Sequence, residues 1–250
     1  MQKYFVSNDE FLNNIITSDD VFHIKNVMRG KIGDLIVVSN ENEEYVCKLV
    51  EIAKEYVKYE KVEKLVNNNE LPVYVSLYQG LPKGDKLDDI IKMGTQFGIS
   101  RVIPTIMKRS IVKVDPSKVK NKTIRLNKIA KEAAEQSNRL RVPRVMEAMK
   151  LDKIDFSEYD LKIVCYEESA KTGEVSLLKN TIKSLNKDSK LCVVVGPEGG
   201  IDESEIEYLK KLGFVMVGLG PRILRTEMAI LYVLGAISYE MELKWYQLLY

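Results

Sequence analysis

The stretch LCVVV, residues 191–195, is apolar on every side and runs without interruption into GPEGG and then IDESE. A short run that is apolar on both faces suits a strand covered on both sides, as in a parallel sheet. The residues after the glycines announce a helix. Asp202 can cap it, Glu205 three residues on completes a capping box, and Ile201 and Ile206 stand at the spacing of a hydrophobic staple. GPEGG is therefore a strand-to-helix turn. In an open α/β sheet such turns lie at the carboxyl ends of the strands, where ligands bind.

The same arrangement repeats downstream. FVMVG leads through LGPRILRTE into MAILYVLGAISYE, so two glycine-containing loops are expected to face one crevice. The second helix is apolar almost all round and is expected to be core, which leaves Arg222, Arg225, Thr226 and Glu227 crowded at its entrance. Neither G-x-x-x-x-G-K-[ST] nor G-x-G-x-x-G occurs, and Glu198 in the middle of GPEGG would repel a phosphate. The loop suits a partly cationic ligand, a ligand with hydroxyl or amide donors, or a carboxylate that fixes the loop itself.

Upstream the pattern divides in two. Residues 1–72 carry short strand-like runs, KYFVS, DLIVVSN and EYVCKLVEI, broken by one helical segment from Asp19 to Arg29, and read as a small, mostly β module. Beyond Asn67, Asn68, Asn69 and Pro72, residues 73–250 alternate strands with helices, the pattern of an α/β parallel sheet with crossover helices. VYVSLYQ precedes a helix with Leu87, Ile90, Ile91 and Phe97 on one face. RVIPTI, LKIVCY, LCVVV and FVMVGL are the further strands, and a basic helix is expected from about Thr123 to Asn138.

Charge is distributed unevenly. The 250 residues carry a net charge of +2, yet Arg101 to Lys150 holds 14 Lys or Arg against four acidic residues. A block near +10 in an otherwise acidic chain points to a polyanionic partner. The three cysteines lie singly in apolar runs and there is one histidine, His23, so neither a disulfide framework, a zinc site nor a Ser-His-Asp triad is expected. No apolar run is long enough for a signal peptide or a membrane span, and a cytoplasmic location is expected.

VVVGPEGGIDESE together with LGPRILRTEMA resembles the C-terminal signature of the RsmE-type 16S ribosomal RNA uridine-N3 methyltransferases of the SPOUT superfamily. KGDKLDDIIKMGTQFGISRVIPTIMKRS and IAKEAAEQSNRLRVP are similar to that family's entry into the catalytic domain and to its basic helix. KYFVS and FHIKNVMRGKIGDLIVV resemble its PUA-like RNA-binding domain. Three positions depart from the usual pattern: Met228 stands where threonine is common, Lys3 where arginine is frequent, and KMGTQFG where a KATELG-type run is usual.

The resemblance implies a PUA-like domain over 1–72 and a trefoil-knotted SPOUT domain over 73–250, acting as a homodimer on 16S rRNA within the small ribosomal subunit. It implies S-adenosylmethionine as cofactor; the cysteine and histidine counts leave no metal expected. The cofactor loops would be Gly196, Pro197, Glu198, Gly199 and Gly200 with Leu219, Gly220, Ile223, Leu224, Arg225 and Thr226. Arg225 is expected to stabilise charge on the substrate, and Glu198 or Glu227 to organise the loop or take a proton. RNA contact is expected from Lys3, His23, Arg29, Arg109, Arg125, Arg139 and Arg141. Another SPOUT methyltransferase, or a catalytically silent RNA-binding protein of the same fold, remains the alternative reading.

Overall fold

The computed structural model describes residues 1–66, 69–171 and 176–243; of the asparagine triplet only Asn69 falls within them. The chain divides into two compact units, one formed by residues 1–70 and 134–142, the other by 71–133 and 143–250. The first unit thus takes in the RLRV turn, which the sequence pattern groups with the second.

In the first unit β1 (Lys3–Phe5), α1 (Asn8–Asn13), β2 (Ile15–Ile16), α2 (Asp20–Phe22), β3 (Leu35–Ser39), β4 (Glu44–Ile52) and β5 (Val57–Leu65) succeed one another. The strands form one sheet in the order β1-β3-β4-β5-β2, with Tyr4, Phe11, Ile16, Ile24, Val38, Leu49 and Val57 in its core. The expected helix from Asp19 to Arg29 is instead one α turn continued by a π-helical turn, His23–Val27, after which Arg29 adopts φ 53°. β5 is hidden in the sequence because VKYEKVEKL reads as a charged run. Its side chains alternate, and only Val57 and Tyr59 point into the core.

The second unit comprises β6 (Tyr74–Gly80), α3 (Lys86–Gln96), β7 (Arg101–Ile106), α4 (Pro116–Gln136, its last three residues counted with the first unit), β8 (Arg144–Val145) and β9 (Met149–Lys150). Then come β10 (Leu161–Cys165), α5 (Glu167–Lys171), α6 (Leu177–Ser184), β11 (Lys190–Val195), α7 (Glu203–Lys211), β12 (Val215–Val217) and α8 (Thr226–Met241). Its sheet runs β12-β10-β11-β6-β7-β8 with β9 also on β7, and every pairing is parallel. Leu191 to Val195 are all buried, as expected of the central strand β11.

α4 begins seven residues before the expected position. Pro116 occupies the first helical turn, where its missing N–H costs nothing, and the Asp115 carboxylate accepts from the Ser117 N–H at 3.0 Å. α8 also departs from expectation. Ile230, Val233, Leu234 and Ile237 are core, but Met228, Tyr232 and Tyr239 form an exposed stripe on the opposite side. Among the described residues no helix is long and apolar enough to cross a membrane.

Candidate functional site

The carboxyl ends of β10, β11 and β12 lie side by side, with Cys165 in register with both Val195 and Val217. The chain leaving each of these strands contributes to one cavity of about 680 Å³, within the usual range of roughly 300–1,000 Å³ for small-molecule sites. Cys165 and Tyr166 come from the end of β10, Gly196 to Ile201 from the turn after β11, and Leu219, Gly220 and Arg222 to Thr226 from the loop before α8. Lys86, Arg109, Glu167 and Glu168 also line it.

The turn after β11 is shaped by its neighbours. A Cβ on Gly80 would come within 2.5 Å of Pro197, so only glycine lets the end of β6 approach the loop, and Gly200 turns the chain with φ +73°. The capping box at Asp202 and Glu205 is formed, and Ile201 and Ile206 are both buried. Glu205 additionally accepts from the Lys108 N–H at 2.8 Å, fastening the segment after β7 to the start of α7.

A buried hydrogen-bond group joins the two loops. The Thr226 hydroxyl donates to the Gly196 carbonyl at 2.6 Å and accepts from Gln79 Nε2 at 2.8 Å, while the same amide donates to the Gly80 carbonyl at 2.9 Å. Thr226 is not the helix cap, because Arg225 holds that position with an extended backbone and no side-chain capping bond. Gln79 Oε1 is buried without a partner among the described residues.

Glu198 accepts from Lys86 Nζ at 2.8 Å and from the Lys83 N–H at 3.1 Å. Partial burial acts to raise its pKa, but the Lys86 hydrogen bond, with backbone donors, outweighs this and holds the carboxyl below its ordinary value. It is thus an ionised tether between the GPEGG turn and the start of α3. Arg109 reaches the same turn from the other side, with Nη1 donating to the Gly199 carbonyl at 3.4 Å and Nε 3.6 Å from Asp202.

Residues 69–238 match the family model for the RNA methyltransferase domain, and residues 16–61 that for the RNA methyltransferase PUA domain. The chain is 46% identical to ribosomal RNA small subunit methyltransferase E of Bacillus subtilis (strain 168), covering 97% of this chain and 98% of that protein. It belongs to the ribosomal RNA small subunit methyltransferase E family. The enzyme of that name from Aquifex aeolicus (strain VF5) is 30% identical over 89% of this chain and 93% of its own. A crystal structure of the Neisseria gonorrhoeae methyltransferase E bound to S-adenosyl methionine superposes with a TM-score of 0.80 at 26% identity, covering 96% of this chain and 98% of that one. The SPOUT and PUA-like architecture expected from the motifs is therefore the fold of this family member.

All eleven cofactor-loop residues named from the sequence line the cavity. Glu227 is not among the lining residues, and its Oε2 is buried without a hydrogen-bond partner among the described residues. Lys86 and Gln79 escaped sequence reading because they lie more than a hundred residues from their partners. Cys165 and Tyr166 gave one faint signal, their place at the end of a strand.

The expected RNA contacts differ in exposure, with four exposed, two buried and His23 half-buried. Arg29, Arg109, Arg125 and Arg141 are exposed. Lys3 and Arg139 are not, and their burial corrects the expectation that they meet RNA. Lys3, 1% exposed, is ion-paired with Glu44 and donates to the Arg139 carbonyl; Arg139, 3% exposed, grips Glu70 through Nε and Nη2. Glu70 also accepts from the Leu140 N–H, so these charges pin the 139–141 turn inside the first unit. His23 packs against Tyr4, whose hydroxyl lies 3.0 Å from Nδ1. Arg125 forms a two-bond pair with Asp88. Among the described residues no cluster of three or more metal-ligating side chains occurs.

Proposed function

We propose that this protein transfers a methyl group from S-adenosylmethionine to N3 of a uridine in small-subunit ribosomal RNA. The observation that carries this reading is the mixed chemistry of the two-loop cavity. Lys86, Arg109, Arg222 and Arg225 line it together with Glu167, Glu168, Glu198 and Glu203, Lys86 and Glu198 as a direct pair, and Val195, Ile201, Leu219, Ile223, Leu224 and Ala229 add apolar wall. A zwitterionic amino acid, a sulfonium, a ribose and an adenine need donors and acceptors of both signs beside an apolar wall. A phosphate cradle would lack the carboxylates.

When bound, S-adenosylmethionine supplies an electrophilic methyl group on a sulfonium. The chain's own contribution is position and charge. The Gly196–Gly200 turn and the 219–226 loop are held at fixed separation by Thr226 and Gln79, and Lys86 holds Glu198. Such orientation is worth about 7–11 kcal/mol of barrier in favourable cases. Arg225, exposed at the start of α8, stabilises the anion that forms as the uracil imide loses its N3 proton. Glu198 serves as loop organiser, since a carboxylate with two donors and a lowered pKa is a weak base. The proton passes to solvent at the exposed mouth.

RNA is held by the basic block. From Lys108 to Lys131 the second unit carries nine Lys or Arg and a single acidic residue, Asp115. Contacts of that kind make affinity fall steeply with salt. The active form is a homodimer, supported by the apolar stripe of Met228, Tyr232 and Tyr239 on α8 with Phe97 packed beside Gly235. In the SPOUT fold implied by the signature, the cofactor loops belong to a trefoil knot.

The deciding experiment is incorporation of labelled methyl from S-adenosylmethionine into purified small subunits and into naked rRNA, followed by nucleoside analysis. 3-Methyluridine in the digest is the expected product. A ribose-methylated nucleoside, or no incorporation into either substrate, overturns the reading.

A further inference from the structure

A second cavity lies in the same unit, and the proposed methyl transfer makes no use of it. Its volume is about 190 Å³, the space of roughly six liquid waters at about 30 Å³ each, enough for one planar ring system. The walls are almost entirely apolar. Val112, Val114, Val119, Leu81, Pro104 and Met146 line it, together with the fully buried Leu126.

The rim has the opposite character. Lys113, Lys118 and Lys122 stand around the opening, all exposed, with Lys118 at 82%. The rim's acid, Asp115, is engaged by its own helix through the Ser117 N–H and hydroxyl, and its contact with Lys118 is long at 3.8 Å. An apolar slot ringed by lysines suits a flat apolar-faced group attached to an anion. A nucleotide has that form: ring faces that pack on side chains and a phosphate that pairs with ammonium groups.

The cavity is adjacent in the chain to the two-loop site on two sides. Lys86 and Arg109 line the first cavity, while Leu87 and Val112 line the second. We propose that the slot binds an unstacked base of the RNA substrate, from a nucleotide neighbouring the one methylated, with its phosphate on Lys113, Lys118 and Lys122. The slot then selects an RNA whose bases are splayed out around the target, and it acts on substrate binding and not on methyl transfer itself. This inference rests on the proposed rRNA substrate.

The test fills the slot in the full-length protein. Val119→Trp is compared with the wild type for methyl incorporation into rRNA, with S-adenosylmethionine affinity measured by calorimetry and folding by thermal melt. Thr123→Phe, from the slot's edge, is the second variant should Val119→Trp fail to fold. The expected result is a KM for RNA raised about tenfold or more, as the loss of one stacked base implies, with kcat and cofactor affinity retained. Photocrosslinking of 4-thiouridine-substituted rRNA should also attach a nucleotide other than the methylated one to the peptide containing Val112 to Thr123.

An unchanged KM in a folded slot-filled variant, or crosslinks confined to the two-loop site, overturns the proposal while the methyltransferase reading stands. If the variant dissociates a dimer and its RNA affinity is unaltered, the slot belongs to a second copy of the chain and the proposal fails. Absence of methyl incorporation by the wild type is a different outcome, because it removes the substrate on which both readings depend.

Discussion

The hydroxyl of Thr226 donates to the carbonyl of Gly196 across 30 residues of sequence, at 2.6 Å, in a buried contact. One side chain at the first turn of α8 thereby sets the distance between the two loops of the cavity. Thr226→Val keeps the shape and removes the hydroxyl, leaving the Gly196 carbonyl only the long 3.4 Å contact from Gln79 Nε2 and taking away the shorter of its two donors. The expected cost is about 1–3 kcal/mol in stability or in cofactor binding, read by denaturant melts and by calorimetry with S-adenosylmethionine. Unaltered values in both would show that the loops are held by other contacts.

Glu198 gives a prediction with a pH sign. Its carboxyl lies below the ordinary value of 4.5, so its ionised tether to Lys86 is complete above that value and is lost as pH falls through the lower folded value. Cofactor affinity should therefore show no Glu198 titration from neutral pH down to 4.5. Glu198→Gln should bind the cofactor several-fold more weakly and keep its kcat once the cofactor saturates. A collapse of kcat at saturation would make Glu198 the proton acceptor instead.

Arg225 occupies the N-cap position of α8 without a capping bond and is exposed at the cavity, forming no ion pair among the described residues. Replacement by Ala should cut kcat by about 10²–10³, the usual effect of removing one charge-stabilising donor, and lower cofactor affinity far less. The measurement is single-turnover methyl transfer beside calorimetry. Equal turnover with saturating RNA would remove Arg225 from the mechanism.

Lys3 is tested by the opposite pattern. Lys3→Met leaves Glu44 buried without its ammonium partner, and urea unfolding should show a loss of about 3–5 kcal/mol. Lys3→Met with Glu44→Leu should recover most of it, because an apolar pair of similar volume replaces two buried charges. RNA affinity of the folded double variant should match wild type; a loss there would return Lys3 to the RNA surface.

Tyr232 lies at the centre of the exposed stripe on α8. Tyr232→Asp places a charge there and should shift the protein towards monomer in sedimentation velocity, with the melt of the monomer little changed. A wild type that sediments as a monomer across the micromolar range would rule the stripe out as a subunit contact.

Several of these features are legible before any coordinates. The capping box at Asp202, the glycine turn, the parallel strands and the basic block emerge from local periodicity and spacing, because a turn or a helix cap is satisfied within a few residues. β5 and the start of α4 escape for the same reason turned round. Charged residues on a half-exposed strand hide the two positions that pack, and the first turns of α4, opened by Pro116, carry mostly polar residues with little apolar periodicity.

The residues whose reading changed are those with partners far along the chain. Lys3 and Arg139 look like RNA-binding cations until folding places Glu44 and Glu70 against them. Glu198 looks out of place in a glycine loop until Lys86, 112 residues away, supplies its counter-charge. Sequence by itself determined the family, the two loops and the sign of the basic segment, since each is written in contiguous residues. Only the tertiary structure decided which charges face solvent and which are spent on packing, because the desolvation of a charge depends on every group that surrounds it and not on its neighbours in the chain.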